Sequence, residues 1–111
     1  MLVTNRWIIS NKKAYRSNKN GVIQTGWYTV SSKKYYGDSN GARVTGLQTI
    51  DNKTYYFNAA GVIQTGWKTL KGKRYYFSPA YRGTSFGMAR TGWFNQDNNI
   101  YYANADGTLV T

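Results

Sequence analysis

Thr45-Gly46-Leu47-Gln48-Thr49-Ile50-Asp51-Asn52-Lys53-Thr54-Tyr55-Tyr56-Phe57-Asn58-Ala59-Ala60-Gly61-Val62-Ile63-Gln64 is one copy of a pattern that recurs about every 20 residues along the chain. A Thr-Gly pair opens it and a large apolar residue follows. A polar turn, a Tyr pair and a closing Gly complete it. The opening returns at Thr25-Gly26-Trp27, Thr65-Gly66-Trp67 and Thr91-Gly92-Trp93. The Tyr pairs are Tyr35-Tyr36, Tyr55-Tyr56, Tyr75-Tyr76 and Tyr101-Tyr102, and the glycines are Gly41, Gly61, Gly87 and Gly107. A weaker copy comes first: Trp7, Tyr15 and Gly21 are in register, but Arg6 and Arg16 replace the Gly and the second Tyr. A short fixed period means a stack of small units, each burying a face on its neighbour. Repeated units present one surface again and again, which suits a ligand that is itself a repeating polymer.

Within each copy the residues read as a β-hairpin. Trp, Tyr, Thr, Val, Ile and Phe fill both halves and are strand formers. Between them lie Ser31-Ser32, Asp51-Asn52, Lys71-Gly72 and Asp97-Asn98. Asp, Asn and Gly tolerate the positive φ that tight hairpin turns require. No window has helical spacing with caps. A lone hairpin is marginal in water, so each must stack on the next. The expected fold is all-β, a β-solenoid of about five stacked hairpins in one repeat domain spanning 1–111. Its copies are about 5–24, 25–44, 45–64, 65–90 and 91–111. The fourth is longer, with ten positions from Phe77 to Gly87 against four from Phe57 to Gly61. That loop brings Tyr81, Arg82 and Phe86 as candidates for a binding groove. Thr111 falls where a further Thr-Gly would begin, so the expectation is a segment of a longer exported protein.

Composition narrows the chemistry. Aromatic residues make up 17% of the 111, with 11 Tyr and 4 Trp, so the core must be built largely of rings. There is no Cys and no His, and the four acids are Asp38, Asp51, Asp97 and Asp106. Thiolate and imidazole chemistry is therefore excluded, and so are disulfides. All four Asp fall in or beside turns. That is turn chemistry, not the facing carboxylate pair that glycoside hydrolysis needs. The reading is of a non-enzyme with no metal site and no cofactor; a catalytic domain could exist elsewhere in the parent. No segment has the roughly 20 apolar residues of a membrane span, and no signal peptide opens this segment. The formal charge of +11 favours polyanions without choosing among them.

The unit Thr-Gly-Trp, turn, Tyr-Tyr-Phe, Gly resembles the cell-wall-binding repeat superfamily. That group includes choline-binding modules of Gram-positive surface proteins, glucan-binding repeats and the oligopeptide repeats of clostridial toxins. The stretches Thr49–Asn58 and Gly61–Trp67 are most similar to the glucan-binding and toxin-type branch. The resemblance implies a hairpin solenoid that is secreted or cell-wall associated and binds carbohydrate or wall polymer. It also implies what a choline cage needs: the Gly-Trp ring, an aromatic directly before the Tyr pair, and a ring from the next hairpin. Here Lys34, Thr54, Arg74 and Ile100 precede the Tyr pairs, and Leu47 replaces one Trp. Two of those residues are cations, which would repel choline.

Glucan or another cell-wall polysaccharide is therefore the first expectation, and choline-bearing teichoic acid the second. Sugars dock their C–H faces on rings while neighbouring polar groups bond the hydroxyls. Trp27, Trp67 and Trp93, with Tyr36, Tyr56, Tyr76 and Tyr102, are the candidate stacking faces. Lys33-Lys34 and Lys73-Arg74 are candidates for a polyanion. Nucleic acid is a third, weaker reading, because the basic–aromatic alternation already follows hairpin geometry and no nucleic-acid fold signature is present. Self-association through the end hairpins is a further expected contact.

Overall fold

A computed structural model describes residues 2–79 and 86–110. Ten strands form five antiparallel two-stranded sheets, and no helix occurs among the described residues. The strands are β1 (Trp7–Ser10), β2 (Lys13–Arg16), β3 (Gly26–Val30), β4 (Lys33–Gly37) and β5 (Gly46–Ile50). The others are β6 (Lys53–Phe57), β7 (Gly66–Leu70), β8 (Lys73–Phe77), β9 (Gly92–Gln96) and β10 (Asn99–Ala103). Each odd strand pairs with the even strand after it. The expected all-β fold of five tandem hairpins is what the chain adopts.

Two-residue turns set the register. Ser31 and Ser32 have φ of 51° and 67°, and Asp51 and Asn52 have 51° and 65°. Two successive left-handed residues make the turn whose twist matches a right-handed strand pair. The turn then fixes Trp27 opposite Tyr36, Trp67 opposite Tyr76 and Trp93 opposite Tyr102. A one-residue slip would send every ring to the wrong face.

A loop follows each hairpin and is pinned by its own side chains. Asp38 Oδ1 accepts from the backbone N–H groups of Asn40 (2.9 Å) and Ala42 (3.0 Å). Asn58 Oδ1 does the same for Ala60 and Val62, and Asn18 Oδ1 for Asn20 and Val22. These are loops closed by Asn or Asp on their own backbone. The loop also bonds the hairpin preceding the one it follows: Arg43 N–H donates to the Ala14 carbonyl, Ala89 to Thr54 and Leu109 to Arg74, each at 2.8 Å. Gly41, at φ +86°, presents a bare Cα to the Ile23 side chain, and a Cβ there would collide with it.

The contacts fall into two compact units. The first comprises the chain up to Gly46 together with Phe57–Val62. Its rings cluster as Trp7, Tyr28 and Tyr35, with Trp7 edge-on to Tyr35 at 4.9 Å and Tyr28 stacked on Tyr35 at 5.7 Å. The second comprises Leu47–Tyr56 together with the described residues from Ile63 onward. It holds two clusters, one of Tyr75, Phe77 and Ala89 and one of Tyr76, Phe94 and Ala103. The cores are built of rings, as the shortage of aliphatic residues requires.

Candidate functional site

Alternation divides each hairpin into two faces. In the hairpin of β3 and β4, Trp27, Thr29, Lys34 and Tyr36 share one face. Tyr28, Val30, Lys33 and Tyr35 share the other. In the hairpin of β7 and β8, Trp67, Thr69, Arg74 and Tyr76 correspond to the first set. The first Tyr of three pairs thus goes to the core, where Tyr35, Tyr55 and Tyr75 are buried, while Tyr101 is half-buried. Tyr36, Tyr76 and Tyr102, second in their pairs, each lie opposite a Trp.

The Trp-bearing faces have one geometry in three copies. Trp27 meets Tyr36 edge-on at 4.9 Å, Trp67 meets Tyr76 at 4.8 Å and Trp93 meets Tyr102 at 4.9 Å. Lys34 lies opposite Thr29, and Arg74 opposite Thr69. Each cation is therefore diagonal to its Trp, within reach of a long side chain. Lys34 Nζ sits 4.6 Å from the Trp27 ring centroid, and the Arg74 guanidinium carbon 4.5 Å from that of Trp67. The Lys or Arg before a Tyr pair is thereby explained: it covers the ring of its own hairpin. Trp67 also meets Tyr101 edge-on at 5.0 Å and Phe94 at 6.4 Å.

The last copy differs. Ile100 holds the position of Lys34 and Arg74, and it lies opposite Asn95 on the face of Trp93. Trp93 is 75% exposed, Ile100 73% and Tyr102 41%.

Several sequence candidates must be sorted by this geometry. Trp27, Trp67, Tyr36 and Tyr56 are half-buried, and Tyr56 packs against Phe77. Tyr76 is a correction. It is only 6% exposed, stacks on Phe94 at 6.0 Å and is unavailable as a sugar platform, because the following hairpin covers it. Phe86 is half-buried in the long loop, while Tyr81 and Arg82 lie outside the described residues. Lys33 and Lys73 are exposed, but they point to the face opposite Lys34 and Arg74. The paired cations do not form one patch.

Sequence reading missed Trp7 and Arg43. The Trp7 ring carries the Arg43 guanidinium at 4.9 Å and the Arg16 guanidinium at 5.5 Å. Arg43 Nε and the Tyr28 hydroxyl are both buried with no hydrogen-bond partner. Burial raises the Tyr28 phenol above its ordinary range, while the nearby Arg43 charge opposes that shift. The available signal was positional: Arg43 stands where other copies have Ile23, Ile63, Ala89 and Leu109.

The Asp residues do turn work. Asp51 and Asp97 occupy left-handed turn positions, and Asp106 accepts from the Thr108 hydroxyl at 2.6 Å. Among the described residues no acidic cluster could hold a metal ion. Among the described residues no helix is long and apolar enough to cross a membrane.

Family models match most of this architecture. The choline-binding repeat matches residues 44–80, and the cell wall binding repeat matches 25–42 and 91–109. Choline binding protein F from Streptococcus pneumoniae is 36% identical over 97% of this chain and 35% of its own, with a TM-score of 0.83. CbpJ from the same organism is 35% identical over 97% of this chain and 35% of its own, with a TM-score of 0.84. The pneumococcal cell wall endolysin from phage Cp-1, solved with choline, is 26% identical over 97% of this chain and 31% of its own, with a TM-score of 0.68. The chain thus spans about a third of the length of these relatives. No curated protein matches it.

Proposed function

The chain belongs to the cell-wall-binding repeat superfamily, and from that premise we propose that it is a non-catalytic module holding a larger surface or secreted protein on bacterial wall or glucan-type polysaccharide. Repeats of this family are cell-wall or choline-binding modules, and proteins that carry them are associated with the cell surface. Carbohydrate polymer is the ligand the geometry supports best.

The observation that carries this reading is the mixed character of the Trp faces. Trp27 and Trp67 each have a Tyr edge-on and a Lys or Arg against the ring. The exposed Trp93 and Tyr102 rings suit the C–H surface of a sugar. Lys and Arg donors suit its hydroxyls, and any phosphate the polymer carries. A free cationic head group would find those two ring faces already served. Each site is expected to be weak, with the array gaining by avidity.

Choline-bearing teichoic acid is the second reading. One observation favours it: the exposed Trp93–Tyr102 pair has Ile100 where the other copies place a cation. Cation–π recognition needs such an open ring.

Pull-down on insoluble α-glucan and on purified Gram-positive walls, at low and high salt and with excess choline, separates the two. Salt-resistant retention that choline does not compete supports carbohydrate. Elution by choline transfers the function to the second reading. Retention on neither support removes both.

A further inference from the structure

Trp67 stands at the centre of an aromatic group, with Tyr76 and Tyr101 edge-on at 4.8 and 5.0 Å and Phe94 at 6.4 Å. Converging ring faces attract cations, quaternary ammonium ions included. In this chain the attraction is already used: the Arg74 guanidinium carbon sits 4.5 Å from the Trp67 centroid. Trp27 repeats the arrangement with Tyr36 edge-on, Phe57 at 5.9 Å and Lys34 Nζ at 4.6 Å.

We propose that Arg74 and Lys34 are resident cations that close the Trp67 and Trp27 aromatic sites to quaternary ammonium ligands, and that removing either one opens its site. The inference deepens the carbohydrate reading above, since it names the residues that set the module against choline.

Tethering decides the competition. A group attached by a short flexible arm acts at an effective concentration in the millimolar range. A free ammonium ion must exceed that before it displaces the side chain, because single cation–π contacts at exposed sites are weak. Registry makes the device local. The diagonal position across from Thr69 or Thr29 delivers the cation to its own Trp, and Ile100 at the same position delivers none to Trp93. The diagonal position thus supplies a cation to Trp27 and Trp67, while the last hairpin has the same ring pair with no cation there.

The test is a choline chloride titration of the full chain at constant ionic strength, following the indole N–H signals of its four Trp by NMR. Arg74→Lys, Arg74→Ala and Lys34→Ala are compared with the wild-type chain. In the wild type and in Arg74→Lys the Trp67 signal should stay in place through the low-millimolar range. In Arg74→Ala it should move saturably, with affinity at least about tenfold higher than in the wild type. Lys34→Ala should do the same at Trp27 alone, which keeps the proposal testable if the Arg74 variants fold poorly. Saturation of wild-type Trp67 as readily as in Arg74→Ala overturns the inference. So does no gain in either alanine variant with the hairpins intact. Neither result bears on glucan or wall retention, which the pull-down measures separately.

Discussion

The indole N–H of Trp67 donates to Asp97 Oδ2 at 3.2 Å, across 30 residues of sequence. Asp97 sits in the left-handed turn between β9 and β10, at φ 53°. The turn of one hairpin therefore fixes the ring of the hairpin before it. The same ring carries Arg74, so its orientation sets where the cation rests. Asp97→Gly, which removes the acceptor and keeps the left-handed turn, should cost about 0.5–1.5 kcal/mol, the ordinary worth of one hydrogen bond, because the contact is exposed. Denaturant unfolding gives the energy, and the Trp67 indole proton signal should move upfield as its acceptor is lost. An unmoved signal would show that the contact does not persist in solution.

Arg43 is the reverse case, a charged group where an apolar one would serve better. Ile23 lies against Gly41 and Ile63 against Gly87, while Arg43 lies against Gly61. Its Nε is buried and unpartnered, which costs free energy that its contact with Trp7 only partly offsets. Arg43→Ile should therefore be neutral or stabilising by up to about 1.5 kcal/mol. It should also raise the Tyr28 phenol further, since the Arg43 charge now holds it down against burial. A loss of stability above about 1 kcal/mol would mean that the Trp7 contact dominates instead.

Much of this was legible in the sequence, and the reason is local. Ser31-Ser32 and Asp51-Asn52 declare the turns, and two-residue turns dictate which ring faces which. The Trp–Tyr pairs followed from counting. What counting could not give was burial. Tyr36, Tyr76 and Tyr102 hold one repeat position, yet they range from 6% exposed at Tyr76 to 41% at Tyr102, because stacking on the next hairpin decides it. The destination of Lys34 and Arg74 was hidden for the same reason. Diagonal neighbours across a strand pair are visible only once the register is known.

Alkali should find the buried phenols. Burial raises Tyr28, Tyr55 and Tyr75, with Asp51 adding to the shift at Tyr55 and Asp106 at Tyr75. A folded pKa above the unfolded value contributes stability that is complete below the unfolded value and is lost as pH rises through the folded one. Stability should thus begin to fall as pH passes about 10, the ordinary phenol value. Absorbance near 295 nm should show these three tyrosines ionising above about pH 10, together with unfolding. The triple Tyr→Phe variant should flatten the alkaline limb; an unchanged limb would assign it to other groups.

Acid acts on Asp106 in the opposite sense. The Thr108 hydroxyl at 2.6 Å and the Thr108 backbone N–H at 2.9 Å hold its carboxyl below the usual carboxylate range. A depressed folded pKa contributes stability that is present above the unfolded value and disappears as pH falls through the folded one. The group is largely exposed, so solvent screening keeps the contribution small. Thr108→Val should bring the Asp106 pKa back toward about 3.9, read from its carboxyl carbon shift by NMR. Asp106→Asn should remove the matching slope from the acid limb. A carboxyl that titrates normally in the wild type would refute the assigned hydrogen bonds.

Trp93 tests whether an open ring matters for attachment. It is 75% exposed beside Tyr102 and Ile100, so its removal uncovers little and leaves no buried cavity. Trp93→Ala should change stability by no more than about 0.5 kcal/mol, as surface substitutions usually do. Acrylamide should quench Trp93 before the half-buried Trp7, Trp27 and Trp67. If the last hairpin takes part in attachment, the variant should lose wall or glucan retention by several-fold with its fold intact, since avidity multiplies the loss of one weak site. Ile100→Lys is the complementary variant. It places a cation on the diagonal that Lys34 and Arg74 occupy and should make Trp93 less accessible to quencher while leaving the hairpin register unchanged. If Ile100→Lys leaves quenching at the wild-type level, position alone does not bring the cation onto the ring, and the packing around Trp27 and Trp67 must supply the rest.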